Sequence, residues 1–265
     1  MQVVNQRNIM DITMDRKIDI HTHILPSVDD GATNVEESME IIHYLYNQGI
    51  TDIVLTSHYI ENTKYNYNQV SRNQILTVLR NNLNNDKIHL YLGNEVYLSE
   101  NVIDLLEQHE ISTINNTKYM LIELPLTGCL NNFQNILCAL SDYGIVPIIA
   151  HPERYQFLQK NFHRVSELLE FNCLLQCNID SIYGKYGKKA KKLMKWLLKN
   201  DLVQFVATDT HYVENEKILE KSYKKLKKLV GEEKYQDLVY RNPLKMLNNE
   251  TVESNLEYLI NEERK

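Results

Sequence analysis

Cysteine is scarce in this chain: 265 residues contain four, Cys129, Cys138, Cys173 and Cys177. The first two stand nine positions apart and the last two four, so neither zinc-ribbon nor Cys-x-x-Cys redox spacing occurs. The expectation for all four is a small, buried apolar side chain. No Cys-x5-Arg sequence exists, which excludes the tyrosine phosphatases that attack with a thiolate. Long apolar runs are also missing. Without about 18 such residues in a row there is no transmembrane helix. The N-terminus lacks an apolar stretch behind a basic one, so no secretory signal is expected and the chain reads as cytoplasmic. Excess positive charge is absent too: the net charge is −6 and the pI about 5.9. That argues against a nucleic-acid binder, which favours a basic face. No linker or low-complexity block interrupts the chain. It reads as a single domain over 17–265 behind a polar leader, 1–16, expected to be disordered or loosely attached, with Met14 as an alternative start.

What remains is a chain with 43% hydrophobic residues, enough for a sizeable core. Short β-type runs alternate with amphipathic stretches. The spacing predicts strands at 17–22, 51–57, 87–92, 118–123, 145–150, 173–178 and 203–208. Helices are predicted at 34–48, 68–84, 99–108, 131–143, 161–171, 186–200 and 214–230. Asn34 with Glu37 reads as a capping box, and Gly49 and Gly144 read as helix stops. Seven β-then-α units imply a parallel sheet with right-handed crossovers. An open sheet would spread seven strand ends too widely to share a site. A distorted TIM-like α/β barrel of seven βα units gathers them into one ring, with the site at the C-terminal ends of the strands.

Those ends carry the chemistry. His21-Thr22-His23 closes the run Lys17–Ile20, and because strand side chains repeat direction every two residues, both imidazoles fall on one side. Asp209-Thr210-His211 repeats the pattern after Val203–Ala207. Between them His58, Glu95, Glu123 and His151 each end an apolar run, and Asp30 lies in the loop after the first strand. Any one of these alone is more often an ordinary polar side chain; six endings built from metal-ligand types point to a polynuclear centre. Mixed imidazole and carboxylate donors suit Mn, Fe or Zn, and the absence of cysteine argues against a structural zinc site. Glu95, after Gly93-Asn94, is the best placed to bridge two ions, with Gly93 letting the backbone turn sharply. His43, His89, His109 and His163 lie within helical stretches or at a strand start and are not expected in the site.

The segments Asp19-Ile-His-Thr-His, Asp29-Asp30-Gly31, Thr56-Ser57-His58, Gly93-Asn94-Glu95, Ile122-Glu123, Ala150-His151-Pro152-Glu153-Arg154-Tyr155 and Thr208-Asp209-Thr210-His211 resemble the polymerase and histidinol phosphatase (PHP) superfamily. They are most similar to its manganese-dependent bacterial protein-tyrosine phosphatases from capsular and exopolysaccharide loci. The resemblance covers about residues 17–250. Ser57, where many relatives have Pro, and the 16-residue leader depart from it. It implies three divalent transition-metal ions, with Mn expected and Fe or Zn as alternatives. By resemblance, His21, His23, Glu95 and Asp209 would hold the first. Glu95, Glu123 and His151 would hold the second, and Asp30, His58 and His211 the third. Asp29 is the carboxylate most easily confused with Asp30.

The implied reaction is hydrolysis of phosphotyrosine by metal-activated hydroxide, without a phospho-enzyme. The implied substrate is a phosphorylated protein, a tyrosine kinase of polysaccharide assembly. Arg154 is the candidate phosphate clamp, since a guanidinium binds phosphate through two parallel hydrogen bonds. Its alternative is an ion pair with Glu153 or a rim carboxylate. Asp209 is mainly a ligand, with a catalytic role in proton transfer as a second reading. Tyr155 reads either as rim packing or as a stacking surface. The basic run Gly184–Lys192 reads as a solvated helix start or as a docking surface for an acidic phosphorylated tail. Rivals are a small-molecule phosphatase such as a histidinol phosphatase, a metal-dependent nuclease and a non-catalytic binding barrel. The first is separated by parallel assays, the second is disfavoured by the acidic pI, and the third by the complete ligand set.

Overall fold

The computed structural model describes residues 16–128 and 132–255. The polar leader up to residue 15 and Cys129 lie outside the described residues. All strands pair in parallel, in two sheets. The first holds β1 (Lys17–Thr22), β2 (Ile50–Leu55) and β4 (His89–Leu92), in the order β1-β2-β4. The second holds β3 (His58–Tyr59), β5 (Glu95–Tyr97), β6 (Tyr119–Glu123), β7 (Val146–Ala150), β8 (Leu174–Asn178) and β9 (Phe205–Ala207), in that order.

The two sheets form one ring. β3 continues β2 after a break at Thr56-Ser57, and β5 continues β4 after a break at Gly93-Asn94. Backbone bonds carry the ladder across these breaks, Gly93 N–H to Leu55 O (3.0 Å) and Glu95 N–H to Thr56 O (3.1 Å). At the other seam β1 meets the segment after β9. Asp209 N–H donates to His21 O and His23 N–H to Thr210 O, both at 2.9 Å, and Thr22 bridges Thr210. The architecture is thus the expected distorted α/β barrel, with each predicted strand observed and two of them, 51–57 and 87–92, continued after a break by the unpredicted β3 and β5.

Strand pleating divides the apolar residues into two layers. Tyr119 and Leu121, Ile148 and Ala150, Leu174, and Phe205 and Ala207 fill the inside with Ile18 and Ile20. Met120, Ile122, Ile149 and Leu175 face the helices instead. This two-residue alternation makes the inward positions next in line Glu123, Gln176 and Asp209. β1 breaks the alternation. Asp19 pairs with Ile53 but Thr22 with Leu55, so β1 holds one extra residue there. Such a bulge re-aims the side chains that follow it. It brings His21 and His23 to the site although Ile18 and Ile20 already occupy the interior.

The principal helices are α1 (Val35–Asn47), α2 (Gln69–Asn82), α3 (Val102–Glu107), α4 (Phe133–Asp142), α7 (Gly187–Lys199) and α8 (Glu216–Val230). The stretch predicted as one helix over 161–171 is instead a 3-10 turn, Phe162–Val165, followed by the short α6 (Ser166–Leu169), with α5 (Gln156–Lys160) before them. The capping box at α1 is half made. Asn34 accepts from Glu37 N–H (2.8 Å), but the Glu37 carboxylate turns to Thr33, one residue upstream. Beyond the predicted elements, α9 (Glu232–Gln236) and α10 (Asn242–Leu247) lead to a segment closing the barrel floor. There the Tyr119 hydroxyl donates to Glu250 O (2.6 Å) and accepts from Val252 N–H (3.0 Å). Cys173 and Cys177 are buried as expected, whereas Cys138 is exposed on the outer face of α4. No helix among the described residues is long and apolar enough to cross a membrane.

Candidate metal centre

All nine predicted ligand residues converge at the C-terminal mouth of the barrel. His21 and His23 come from the bulged end of β1, and His58 and Glu95 from the resumption of the two broken strands. Glu123 ends β6. His151, just past β7, and Asp209, just past β9, hold the left-handed backbone conformation, with φ of 34° and 56°. That region disfavours residues with a Cβ and is typical of positions where geometry is set by function. Asp30 sits in a loop folded against β1 so closely that a Cβ on Gly31 would lie 1.8 Å from the His23 carbonyl oxygen. Gly93, in contrast, is needed for space and not for a sharp turn. Its φ is not positive, and an added Cβ would meet Ile114 and Thr56 at 3.3 Å.

Glu95 is the hub. Its Oε2 lies 3.1 Å from His21 Nε2, 3.3 Å from His23 Nε2 and 3.0 Å from His58 Nδ1, and its Oε1 lies 2.9 Å from His151 Nε2. Asp209 Oδ1 lies 3.4 and 3.3 Å from the same nitrogens of His21 and His23. Further out, Asp30 Oδ1 lies 3.6 Å from His58 Nε2 and 3.5 Å from His211 Nε2. Glu123 approaches His151 to 3.7 Å and His58 to 4.0 Å. The ligand atoms fall into four overlapping groups, each within 4.8 Å, that could hold a metal ion.

The outer hydrogen bonds choose the tautomers. His21 Nδ1 faces Gln176 Oε1 (2.9 Å), His23 Nδ1 faces Asp29 Oδ2 (2.8 Å), and His211 Nδ1 faces the Asp209 carbonyl (3.0 Å). Each acceptor fixes the proton on Nδ1 and leaves the Nε2 lone pair aimed inward, the arrangement metal-binding histidines use. The two adjacent aspartates therefore divide the work. Asp29 is buried, braces His23 and accepts from His58 N–H (3.0 Å), while Asp30 faces the Nε2 atoms.

A cation fits this donor set. Glu95 Oε2, His58 Nδ1 and His151 Nδ1 are buried without a hydrogen-bond partner. Carboxylates crowd the site with Arg154 as the fixed cation beside them. Without a metal, protons must do the neutralising. Burial alone would lower the pKa of His21, but the charges of Glu95 and Asp209 outweigh it and raise it to about 9. For His23, burial is likewise overcome, chiefly by Asp29. Burial pushes the Asp209 and Glu95 carboxyls up, yet the imidazoles around them hold both well below the usual range. Glu123 is raised by burial and by the neighbouring Glu95 charge.

Arg154 sits beside the cluster. Its Nη1 donates to Asp209 Oδ2 (3.0 Å), and its guanidinium lies 4.6 Å from the Tyr186 ring centre. Glu153 points the other way, accepting from Asn178 N–H and the Ser181 hydroxyl. Tyr155 is neither rim nor stacking surface. It is fully buried, donates to Ala150 O (2.7 Å) and accepts from Leu124 N–H (3.0 Å). His43, His89, His109 and His163 take no part in the ligand groups.

Several supporting residues were not anticipated. Gln176 orients His21, and Asn178 Nδ2 donates to Asp209 Oδ2 (2.6 Å). Gln176-Cys177-Asn178 repeats the two-residue spacing of His-x-His at a strand end, a signal passed over because amides are not metal-ligand types. Arg72 is wholly buried with neutral acceptors, Gly93 O (2.6 Å), Ser112 Oγ (3.1 Å) and Tyr67 O (3.2 Å). Asn94 completes the brace, donating to Ser57 O (3.2 Å) and accepting from Ser112 N–H (2.9 Å). Together they fix both strand breaks, and hence His58 and Glu95. Nothing local in the sequence marks Arg72, two of whose three partners lie 21 and 40 positions away.

A parallel α/β barrel whose mouth gathers histidines and carboxylates around one shared glutamate defines the PHP-like class. Residues 17–248 match the family described as capsular polysaccharide synthesis, CpsB/CapC, and the chain belongs to that family. It is 32% identical over 238 residues to tyrosine-protein phosphatase CpsB of Streptococcus pneumoniae, across 87% of this chain and 98% of that protein. A solved chain from the crystal structures of YwqE from Bacillus subtilis and CpsB from Streptococcus pneumoniae, described as metal-dependent tyrosine phosphatases, matches with a TM-score of 0.80 at 29% identity. That match covers 90% of this chain and 97% of the other. Histidinol phosphate phosphatase from Lactococcus lactis, solved with zinc, L-histidinol and phosphate, shares the fold at a TM-score of 0.55 and 14% identity, over 82% of this chain and 94% of that one.

Proposed function

We propose that this chain is a metal-dependent protein-tyrosine phosphatase acting on a phosphorylated protein in the cytoplasm, a tyrosine kinase of polysaccharide assembly. The observation that carries the reading is the meeting of four imidazoles on the two oxygens of Glu95, at 2.9 to 3.3 Å. The membership of the CpsB/CapC family directs the substrate class. His21, His23, Glu95 and Asp209 would hold a first ion. Glu95, Glu123 and His151 would hold a second, and Asp30, His58 and His211 a third. Manganese suits these hard and borderline donors. Bound ions would supply Lewis acidity and a water acidified toward neutrality.

The chain's own groups do the rest. Arg154 keeps N–H donors beyond the one given to Asp209, and in this reading they bind a phosphate oxygen entering the mouth. Asn178 and Arg154 both donate to Asp209 Oδ2 and orient that carboxylate, which the imidazoles of His21, His23 and His151 hold ionised. Such a group orients and neutralises; it is a poor proton donor. Phosphotyrosine makes little demand for one, because a phenolate leaves more readily than an alkoxide.

The test is a side-by-side assay of metal-reconstituted protein on a phosphotyrosine peptide and on histidinol phosphate, before and after chelation. Hydrolysis of the peptide that chelator abolishes and Mn restores is the expected result. Full activity in chelated protein, or a preference for histidinol phosphate, overturns the proposal.

A further inference from the structure

The charge of this protein is unevenly distributed. α7 and α8 together carry twelve lysines and two glutamates, a net of +10 in a chain of net −6, so everything outside them sums to −16. The two helices adjoin. Lys225 Nζ of α8 lies 3.9 Å from the ring centre of the exposed Tyr183, just ahead of α7, and the Tyr183 hydroxyl bonds Lys221 O (3.5 Å). Lys191 reaches back to the same loop, its Cδ 3.5 Å from the position of a Cβ on Gly184. Slight burial, and after it the like charges of Lys191 and Lys195, lower the Lys225 pKa. Among the described residues none of Lys188, Lys189, Lys191, Lys195 and Lys225 has a carboxylate partner. Lys185 is the exception in this run, tied to Asp180 (3.2 Å) and Glu214.

Two features connect this face to the mouth. α7 starts directly after Tyr186, whose ring carries the Arg154 guanidinium, which in turn bonds Asp209. The first turn of α7 contains no acidic residue and two exposed lysines, Lys188 and Lys189, although cations at a helix N-terminus oppose its dipole. Folding gains nothing from that placement or from unpaired like charges packed around Tyr183. An external anion reaching out of the mouth does.

We propose that the lysine face of α7 and α8 docks an acidic stretch of the substrate polypeptide, carboxylate-rich or multiply phosphorylated, that flanks the phosphotyrosine held at the metal centre. This rests on the phosphatase reading above and adds the substrate's charge to it. Continuity with Arg154 favours a polypeptide extending from the site over a ligand remote from it. Lysine ammoniums are mobile point charges, so the docking selects charge and not sequence. It acts by steering and weak retention and is screened by salt, with a Debye length of about 10 Å at 0.1 M.

The experiment compares a phosphotyrosine peptide flanked by glutamates with one in which glutamine replaces every glutamate, using fluorescently labelled peptides for binding and the same peptides for turnover. p-Nitrophenyl phosphate serves as a substrate too small to reach the face. At low salt the metal-loaded wild type is expected to favour the glutamate peptide by about tenfold in kcat/KM, and the gap should close in about 0.5 M salt. K191Q/K195Q/K225Q, all surface changes, should abolish that preference while leaving p-nitrophenyl phosphate turnover and metal content unchanged. Equal binding and turnover of the two peptides by wild type overturns the inference, as does a preference that survives the triple substitution. Binding to phosphatidylglycerol vesicles without any peptide preference reassigns the face to a membrane. Failure to hydrolyse p-nitrophenyl phosphate at all defeats the phosphatase reading instead, and the binding comparison then judges the face by itself.

Discussion

The side chains of His21, His23 and Glu95 have no solvent exposure, whereas those of His58, His211 and Asp30 are 14%, 24% and 50% exposed. The inner histidines are each gripped from behind, by Gln176 and by Asp29. In the outer group, Asp30 belongs to a loop and His211 leans on a backbone carbonyl. A pre-oriented, dehydrated donor set binds an ion without further ordering; a half-exposed one must give up water and mobility each time. On the proposed assignment, the inner positions would behave as part of the fold, and the outer positions as the part that exchanges and meets the substrate.

Glu95→Gln should have the largest effect, because it removes the charge both groups share. Activity on phosphotyrosine peptide is expected to fall by roughly 100-fold or more, with loss of at least one metal equivalent by elemental analysis. His109→Ala, outside the cluster, should leave turnover unchanged; equal effects would deny that the strand ends carry the chemistry. Next come the adjacent aspartates. Asp29→Asn weakens the brace on His23 and should lower inner-site affinity by about 10- to 100-fold, whereas Asp30→Asn should affect only the weakest metal equivalent. Indistinguishable metal titrations for the two variants would erase the division between inner and outer groups.

Arg154→Lys retains charge and loses the planar fork. A fall of about tenfold in kcat/KM, equivalent to roughly 1.5 kcal/mol, is expected with metal content intact. Wild-type kcat/KM together with wild-type phosphate affinity would move the clamp elsewhere. The smallest effect is on the stability of metal-free protein. His21 is raised from 6.5 to about 9, so the folded state binds more protons than the unfolded one between those values. That stabilisation is complete below pH 6.5 and lost as pH rises through about 9. Asp19, raised to about 6 by burial, titrates below the window. The Tm of chelated protein should therefore decline by several degrees across it, while metal loading strengthens because the ions displace those protons. A flat Tm in chelated protein would show that the inner imidazoles are neutral.

The strand ends that meet at the mouth were legible because six separate apolar runs close on an imidazole or a carboxylate, a recurrence that no single polar ending conveys. The barrel was legible from the number of βα units. What the sequence concealed is how β1 can fill the interior with Ile18 and Ile20 and still deliver His21 and His23. The answer is one extra residue, visible only in the pairing with β2. The breaks after Leu55 and Leu92 were hidden for a similar reason, since each is held by Arg72 and Asn94 through contacts distant in sequence. Tyr155 misled because a tyrosine beside a site looks like a contact residue until both hydrogen bonds of its hydroxyl are seen to be internal. Cys138 misled because helix phase, not residue type, decides which side of α4 faces the core.

The seam between β1 and the segment after β9 has a consequence for the order of events during synthesis. His21 O accepts from Asp209 N–H, a partner 188 residues later. Contacts so distant form late, after the local βα units have paid their loop-closure entropy. A nascent chain that has produced His21, His23, His58 and Glu95 but not yet Asp209 has most of its donors and no closed site. On the proposed ligand assignment, tight metal capture would arrive with the last strand, and acquisition of the inner ion would report completion of the barrel.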